Sequence, residues 1–339
     1  MKHLISLLIF LSATSSLFAQ KLKMETLFQD KISIRAIEIW NNRVYYTGTE
    51  SKFGYVSLKD SADRKQIRLS GDKLQFRTLA QDRNTFYTIS IESPAQFFRI
   101  DKKSLENRII YTDTEKNAFY DALIYSNGMF YTFSDPNPDL KLKFAEFNYW
   151  NENFVSKFYT EPQLKEGEAA FAASNTNIAA SNRYLWIATG GKSSRILRLD
   201  RKNRNFEIFE TPFIHGTVSQ GIYSIDFHKD KFGIAAGGDY TQQEANFNNI
   251  ATTDNAGQTW QIQASGKNAG YTTCVKIRPG SKGKEIIAVG DRHISYSNDF
   301  GKTWKVISEE KGFYVAEWLN RKTVVLAGKD RIVMANFVF

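Results

Sequence analysis

One cysteine, Cys274, stands in 339 residues, so the chain holds no internal disulfide and must be stabilised by its core. Proline is sparse at six residues, and histidine is sparser at four. His3 sits at the extreme start, and His215, His228 and His293 are too scattered to make a metal-ligand spacing, so no metal or other cofactor is expected. After the first residues, no run approaches the roughly 20 apolar residues of a membrane-crossing helix. Charge blocks are missing too: Lys and Arg exceed Asp and Glu by nine, but they are dispersed.

What is present begins with a leader. Lys2 and His3 precede an apolar stretch at 4–11, a Ser/Thr-rich turn and Leu17-Phe18-Ala19, the form of a secretory signal cut after Ala19. The expectation is a 1–19 signal peptide and a single mature domain, 20–339, exported to the periplasm or beyond, without a membrane span and monomeric. Gln20, not a cysteine, directly follows the cut, which argues against a lipid anchor. The net charge of +9 becomes +8 when Lys2 leaves, and suits attraction to an acidic protein, a glycan or an anionic headgroup. Export sets nucleic acid aside.

Seven runs rich in Tyr, Val, Ile and Ala recur at 44–48, 85–89, 129–133, 184–188, 232–236, 285–289 and 323–327. Each follows another apolar run, and their starts are roughly 40–55 residues apart, the period of a four-stranded propeller blade. With 14% aromatic residues to fill pleated, half-buried surfaces, the pattern predicts an all-β chain. The predicted fold is a seven-bladed β-propeller of four-stranded antiparallel blades, with inner strands starting near Ile34, Phe76, Phe119, Phe171, Ile222, Thr273 and Phe313. The last unit shows three strands, and 23–28 at the mature N-terminus is expected to supply the fourth, closing the ring without an open edge. Two connections are long, 134–143 and 239–249, and long loops are often functional.

The sharpest motif is Ser297-Asn298-Asp299-Phe300-Gly301-Lys302-Thr303-Trp304, which fits the Asp-box pattern S-x-D-x-G-x-T-W. A second version, read as one residue longer, starts at Thr252-Thr253-Asp254 and ends at Gly257 and Trp260. The expected chemistry is that of a turn. The Asp254 and Asp299 carboxylates accept backbone N–H groups, with Ser297 beside them; Gly257 and Gly301 take positive φ, and Trp260 and Trp304 pack back between sheets. These turns lie on the face opposite the expected ligand mouth. Such boxes resemble those of sialidases and of many non-enzymatic propellers. The mature chain also resembles a bacterial family with Asp-box (BNR) repeats, related to the plant photosystem II stability/assembly factor and carrying oxidoreductase and glycosyl hydrolase labels. The resemblance rests on residues 167–176, Trp186-Ile187-Ala188-Thr189-Gly190-Gly191, 221–225 and Gly237-Gly238-Asp239-Tyr240. It implies a scaffold that binds or assists another macromolecule.

The mouth should be formed by loops joining the second to the third strand and the fourth to the next first strand. Candidate contacts there are Arg35, Arg77, Tyr120, Glu168, Asn175, His215, Tyr223, Asp239 and Asp291, with Tyr314 at a comparable place. Arginine suits anion recognition because its planar fork binds carboxylate in bidentate fashion. The sialidase Arg-Ile-Pro segment is absent, Phe97-Phe98-Arg99-Ile100-Asp101 being the nearest match. Glu168 and Asp239 could act as an acid pair on a sugar, so a glycoside hydrolase using the same mouth is the alternative to a binding module. Cys274 reads as a small buried residue. Gly190-Gly191 and Gly237-Gly238 lack the following helix that a phosphate loop requires.

Overall fold

The repeated Tyr/Val/Ile/Ala runs become strands covered on both faces, as expected where each sheet lies between two others. Thr85–Ile89, Tyr184–Ala188 and Ile286–Gly290 are buried at every position, whereas the outer strand Arg64–Arg68 is almost wholly exposed. Aromatic and β-branched side chains fill such surfaces and stiffen them. The computed structural model describes residues 21–150, 153–159 and 162–338, and the expected signal at 1–19 lies outside them. Among the described residues every regular element is a β-strand.

Among the described residues the strands form six hydrogen-bonded sheets, four of them four-stranded and two six-stranded. The expectation of seven blades is therefore corrected to six. The cause is the strand Lys21–Trp40, which runs unbroken for 20 residues. Its first part pairs antiparallel with the end of Thr323–Val338, through Lys21↔Val338 to Gln29↔Arg331, and its second part pairs with Arg43–Gly48. The first and last repeats are thus fused into one sheet, in the order Phe313–Trp318, Thr323–Val338, Lys21–Trp40, Arg43–Gly48, Lys52–Ser57 and Arg64–Arg68. The first and last described residues, Lys21 and Val338, pair there, so the ring closes on backbone pairing instead of an open edge.

A second correction concerns the fourth repeat. The inner strand expected near Phe171 is displaced to Ile178–Ala180, while the pair Glu168–Ala169 adds through Gly190–Gly191 to the sheet of Gln220–His228. The residues between them leave the blade and enter the central channel. Inner strands are tied to one another by side chains: Val275 N–H donates to Ser224 Oγ at 2.9 Å, and Ile277 N–H to Asp226 Oδ2 at 2.7 Å. Cys274 is fully buried beside Ala316. Aromatic rings interleave the outer layers, as where Trp186 stacks on Phe227 at 3.8 Å and donates its indole N–H to Ala256 O at 2.9 Å.

Candidate functional site

The segment 170–177 is a plug across the channel. Asn175 holds a positive φ of 60°, and its amide reaches two inner strands: Leu123 N–H donates to its Oδ1 at 2.8 Å, and its Nδ2 donates to Leu79 O and Leu123 O at 2.8 and 3.1 Å. On the other side of the axis, Ser174 Oγ donates to Thr273 O at 2.6 Å, and Thr176 Oγ1 lies 2.7 Å from Ser224 Oγ. Phe171 stacks face to face on Tyr223 at 3.9 Å. These polar ends of the plug thus find partners in different sheets, which is what a buried backbone crossing requires.

Above the plug lies a basin of about 570 Å³ whose floor is Ala169 to Ala173. Arg35 enters it from the strand Lys21–Trp40, and Arg77 from the segment just before the strand Ala80–Gln81. Arg35 Nη1 donates to Ala173 O at 2.9 Å and Arg77 Nη1 to Ala172 O at 3.4 Å, and the Arg35 guanidinium also lies 4.2 Å over the Tyr314 ring. Among the described residues neither arginine has a carboxylate at ion-pair distance. Burial, and then the charge of Arg35, hold the Arg77 guanidinium below its ordinary pKa. Tyr271, edge-on to Tyr223 at 4.9 Å, Tyr240 and Asp291 complete the wall.

Behind Arg77 are two carboxyl groups with unusual surroundings. Asp121 is fully buried, and neither of its oxygens has a hydrogen-bond partner among the described residues. Burial first, then Asp135, push its pKa well above the carboxylate range against the pull of Arg77. Asp135 itself lines the basin, and burial raises it to about 6. Protonation of Asp121 removes the cost of an unpaired buried charge.

Of the expected mouth residues, Arg35, Arg77, Tyr223 and Asp291 line the basin. The others do not. Tyr120 is fully buried and donates its hydroxyl to Asp113 Oδ2 at 2.7 Å. Glu168 turns inward, accepting from the Arg195 guanidinium at 2.5–3.0 Å, from Thr189 Oγ1 at 2.6 Å and from Lys165 N–H at 2.8 Å. Asp239 is buried and caps its own turn by accepting from Thr241 N–H and Oγ1 at 2.9 and 2.6 Å. Asn175 pins the plug, and exposed His215 contacts Phe213 O through Nδ1 at 2.8 Å.

In the turns, Ser297, Asp299, Gly301 and Trp304 make the bonds expected of them: Thr303 N–H donates to Asp299 Oδ1 at 2.9 Å and Trp304 Nε1 to Gly301 O at 2.9 Å. In the other turn Gly257 and Trp260 pair the same way, but Asn255 takes the acceptor position, receiving Thr259 N–H at 3.0 Å, while Asp254 is exposed. Among the described residues no group of His, Cys, Asp and Glu could hold a metal ion, and no helix is long and apolar enough to cross a membrane.

Sequence reasoning missed the plug, Asp121, Asp135, Tyr240 and Tyr271. The signal for the plug was the run of small residues around Asn175, a residue type that tolerates positive φ. The signal for Asp121 was a lone acid within an apolar inner strand.

No protein-family profile matches the chain, and no curated protein sequence matches it, so the BNR and sialidase resemblances gain no support. Solved structures do match in shape. The chain superimposes on "Structure of U3-55K" with a TM-score of 0.65 at 10% identity, over 92% of this chain and 98% of that one. "Crystal structure of RRP9 WD40 repeats" gives 0.65 at 10% identity over 93% and 97%. "YCF48 bound to D1 peptide" gives 0.64 at 12% identity over 94% and 95%. At such identities the likeness shows the fold: the chain is a β-propeller whose structural neighbours include WD40 and YCF48 propellers.

Proposed function

We propose that the protein is a binding module, not a hydrolase, and that its basin holds an acidic segment of a partner protein. The observation that carries this reading is the convergence of Arg35 and Arg77 over the plug, each anchored by one neutral carbonyl and neither paired with a carboxylate among the described residues. Anchored guanidinium groups among aromatic walls keep donors for a carboxylate at low entropic cost. The YCF48 propeller is bound to a D1 peptide in its own structure, which supports a peptide-binding use of this fold. The hydrolase alternative loses its acid pair, because the Glu168 carboxylate is committed to Arg195, Thr189 and Lys165. With the expected signal at 1–19, the partner would be met after export.

Photo-crosslinking tests the reading. A photoreactive phenylalanine analogue at Gln243, on the basin wall, should capture a discrete partner from envelope extract, and a soluble acidic competitor should suppress the adduct. Capture that persists unchanged at high competitor, or hydrolysis of a glycan by the purified protein, would contradict it.

A further inference from the structure

The two turns at 253–260 and 297–304 share one hydrogen-bond scheme but differ at one position. Gly257 and Gly301 N–H each donate at 3.0 Å to a hydroxyl four residues back, Thr253 and Ser297. The residue before each glycine has a positive φ, 59° at Ala256 and 63° at Phe300. Alanine there is buried and gives its carbonyl to Trp186 and Arg198. Phe300 instead sets a bulky side chain in a conformation such residues rarely adopt, and the residue is 40% exposed. Ala256 shows that the turn needs only a small residue, so turn chemistry does not account for Phe300.

The Phe300 ring lines a second cavity, of about 590 Å³, that shares no residue with the basin. It packs edge-on to Phe232 at 5.5 Å, and Trp260 adds a ring whose N–H is already spent on Gly257 O. Around these rings stand Lys231, Lys282 and Lys302, all exposed and without an ion-pair partner among the described residues. Asp254 is the one carboxylate of the lining. Gln261, also in the lining, belongs to Gln261–Ile262, the outermost strand of its sheet. An aromatic centre, a cationic rim and an adjacent sheet edge combine the features of a peptide-docking groove.

We propose that this groove docks an extended acidic segment of a partner protein, seating an apolar side chain on Phe232 and Phe300 while the three lysines meet flanking carboxylates. Lysine ammonium groups are flexible point charges and suit acids of loosely defined geometry. The sheet edge offers backbone groups that a peptide backbone can pair with, which favours a peptide over an acidic glycan.

The test uses protein carrying Arg35→Gln and Arg77→Gln, so that the basin does not report. The probe is a fluorescein-labelled peptide of alternating Glu and Leu, followed by anisotropy, with all-Glu peptide and polygalacturonate as comparators. The expected result is binding of the Glu–Leu peptide, weakened at least ~10-fold by Phe300→Ala. Its salt dependence should be flattened by combined Lys231→Gln, Lys282→Gln and Lys302→Gln. Phe300→Ala keeps the Cβ and hence the same positive-φ backbone, as Ala256 does in the matching turn, and removes only a part-exposed ring, so it should melt within a few degrees of its parent. No binding at millimolar peptide, equal affinity after Phe300→Ala, tighter binding of all-Glu peptide or polygalacturonate, or a melting temperature lowered by several degrees would each overturn the proposal.

Discussion

Asn175 and Leu123 exchange two hydrogen bonds across the channel, one in each direction, at 2.8 and 3.1 Å. With the further bond to Leu79 O at 2.8 Å, one side-chain amide satisfies backbone groups of two neighbouring sheets. The basin exists because this amide and Ser174 hold the plug in place; without them the channel would be open under Arg35 and Arg77.

Replacing Asn175 with Ala should therefore cost about 2–4 kcal/mol, since backbone groups of Leu79 and Leu123 lose their partners in a buried setting. Asn175→Asp should cost a similar amount, because it keeps the acceptor and loses both donated bonds. Chemical denaturation measures both, and a change below about 0.5 kcal/mol would show that the plug is held elsewhere.

Deletion of residues 21–28 should lower stability by several kcal/mol, a large share of what a domain has. It exposes the long edge of Thr323–Val338, which the strand Lys21–Trp40 now covers. The truncated protein should melt lower and aggregate sooner. An unchanged melting temperature would remove the closure from the account.

The fusion of the first and last sheets was beyond reach of the repeat count. Periodicity marks where strands recur, but nothing in residues 26–36 says whether the chain breaks between one blade and the next. The repeat pattern sets Arg35 and Arg77 each one residue after an apolar residue, Ile34 and Phe76, and both line the basin. The same reasoning failed at Glu168. A carboxylate before an apolar run looks like a loop acid, and its partner Arg195 lies 27 residues away on another strand. The run after it has strand-like composition, and only tertiary hydrogen bonds take it across the axis. The 253–260 turn reads one residue out of register in the sequence because Thr252 and Thr253 are identical in type and Asn255 can replace an Asp as acceptor.

On the far side of the plug, Glu38 and Asp226 face the Lys276–Glu317 ion pair, which closes at 2.7 Å. Burial first, then Glu317, raise Glu38 to about 7 against the Gln81 hydrogen bond and Lys276. Burial likewise raises Asp226 to about 6. A raised carboxyl pKa means that the folded state keeps a proton the unfolded chain has lost. Its contribution is full below the unfolded value of 4.5 for Glu38 and is lost as pH rises through about 7. His228 and His293, lowered by burial, act in the opposite sense, so the test is a difference. Between about pH 5.5 and 7.5, Glu38→Gln should gain melting temperature relative to wild type. A constant difference would show that Glu38 is ionised throughout.

The most direct test of the binding account is the affinity of the Arg35→Gln, Arg77→Gln double variant for the partner recovered from the basin crosslink. Charged hydrogen bonds at a partly desolvated site are worth roughly 1.5–3 kcal/mol each. The account predicts affinity at least ~10-fold weaker than wild type, with the wild-type affinity falling as salt rises and the variant's nearly flat. Equal affinity and equal salt dependence in a variant that melts like wild type would contradict the basin as the working surface.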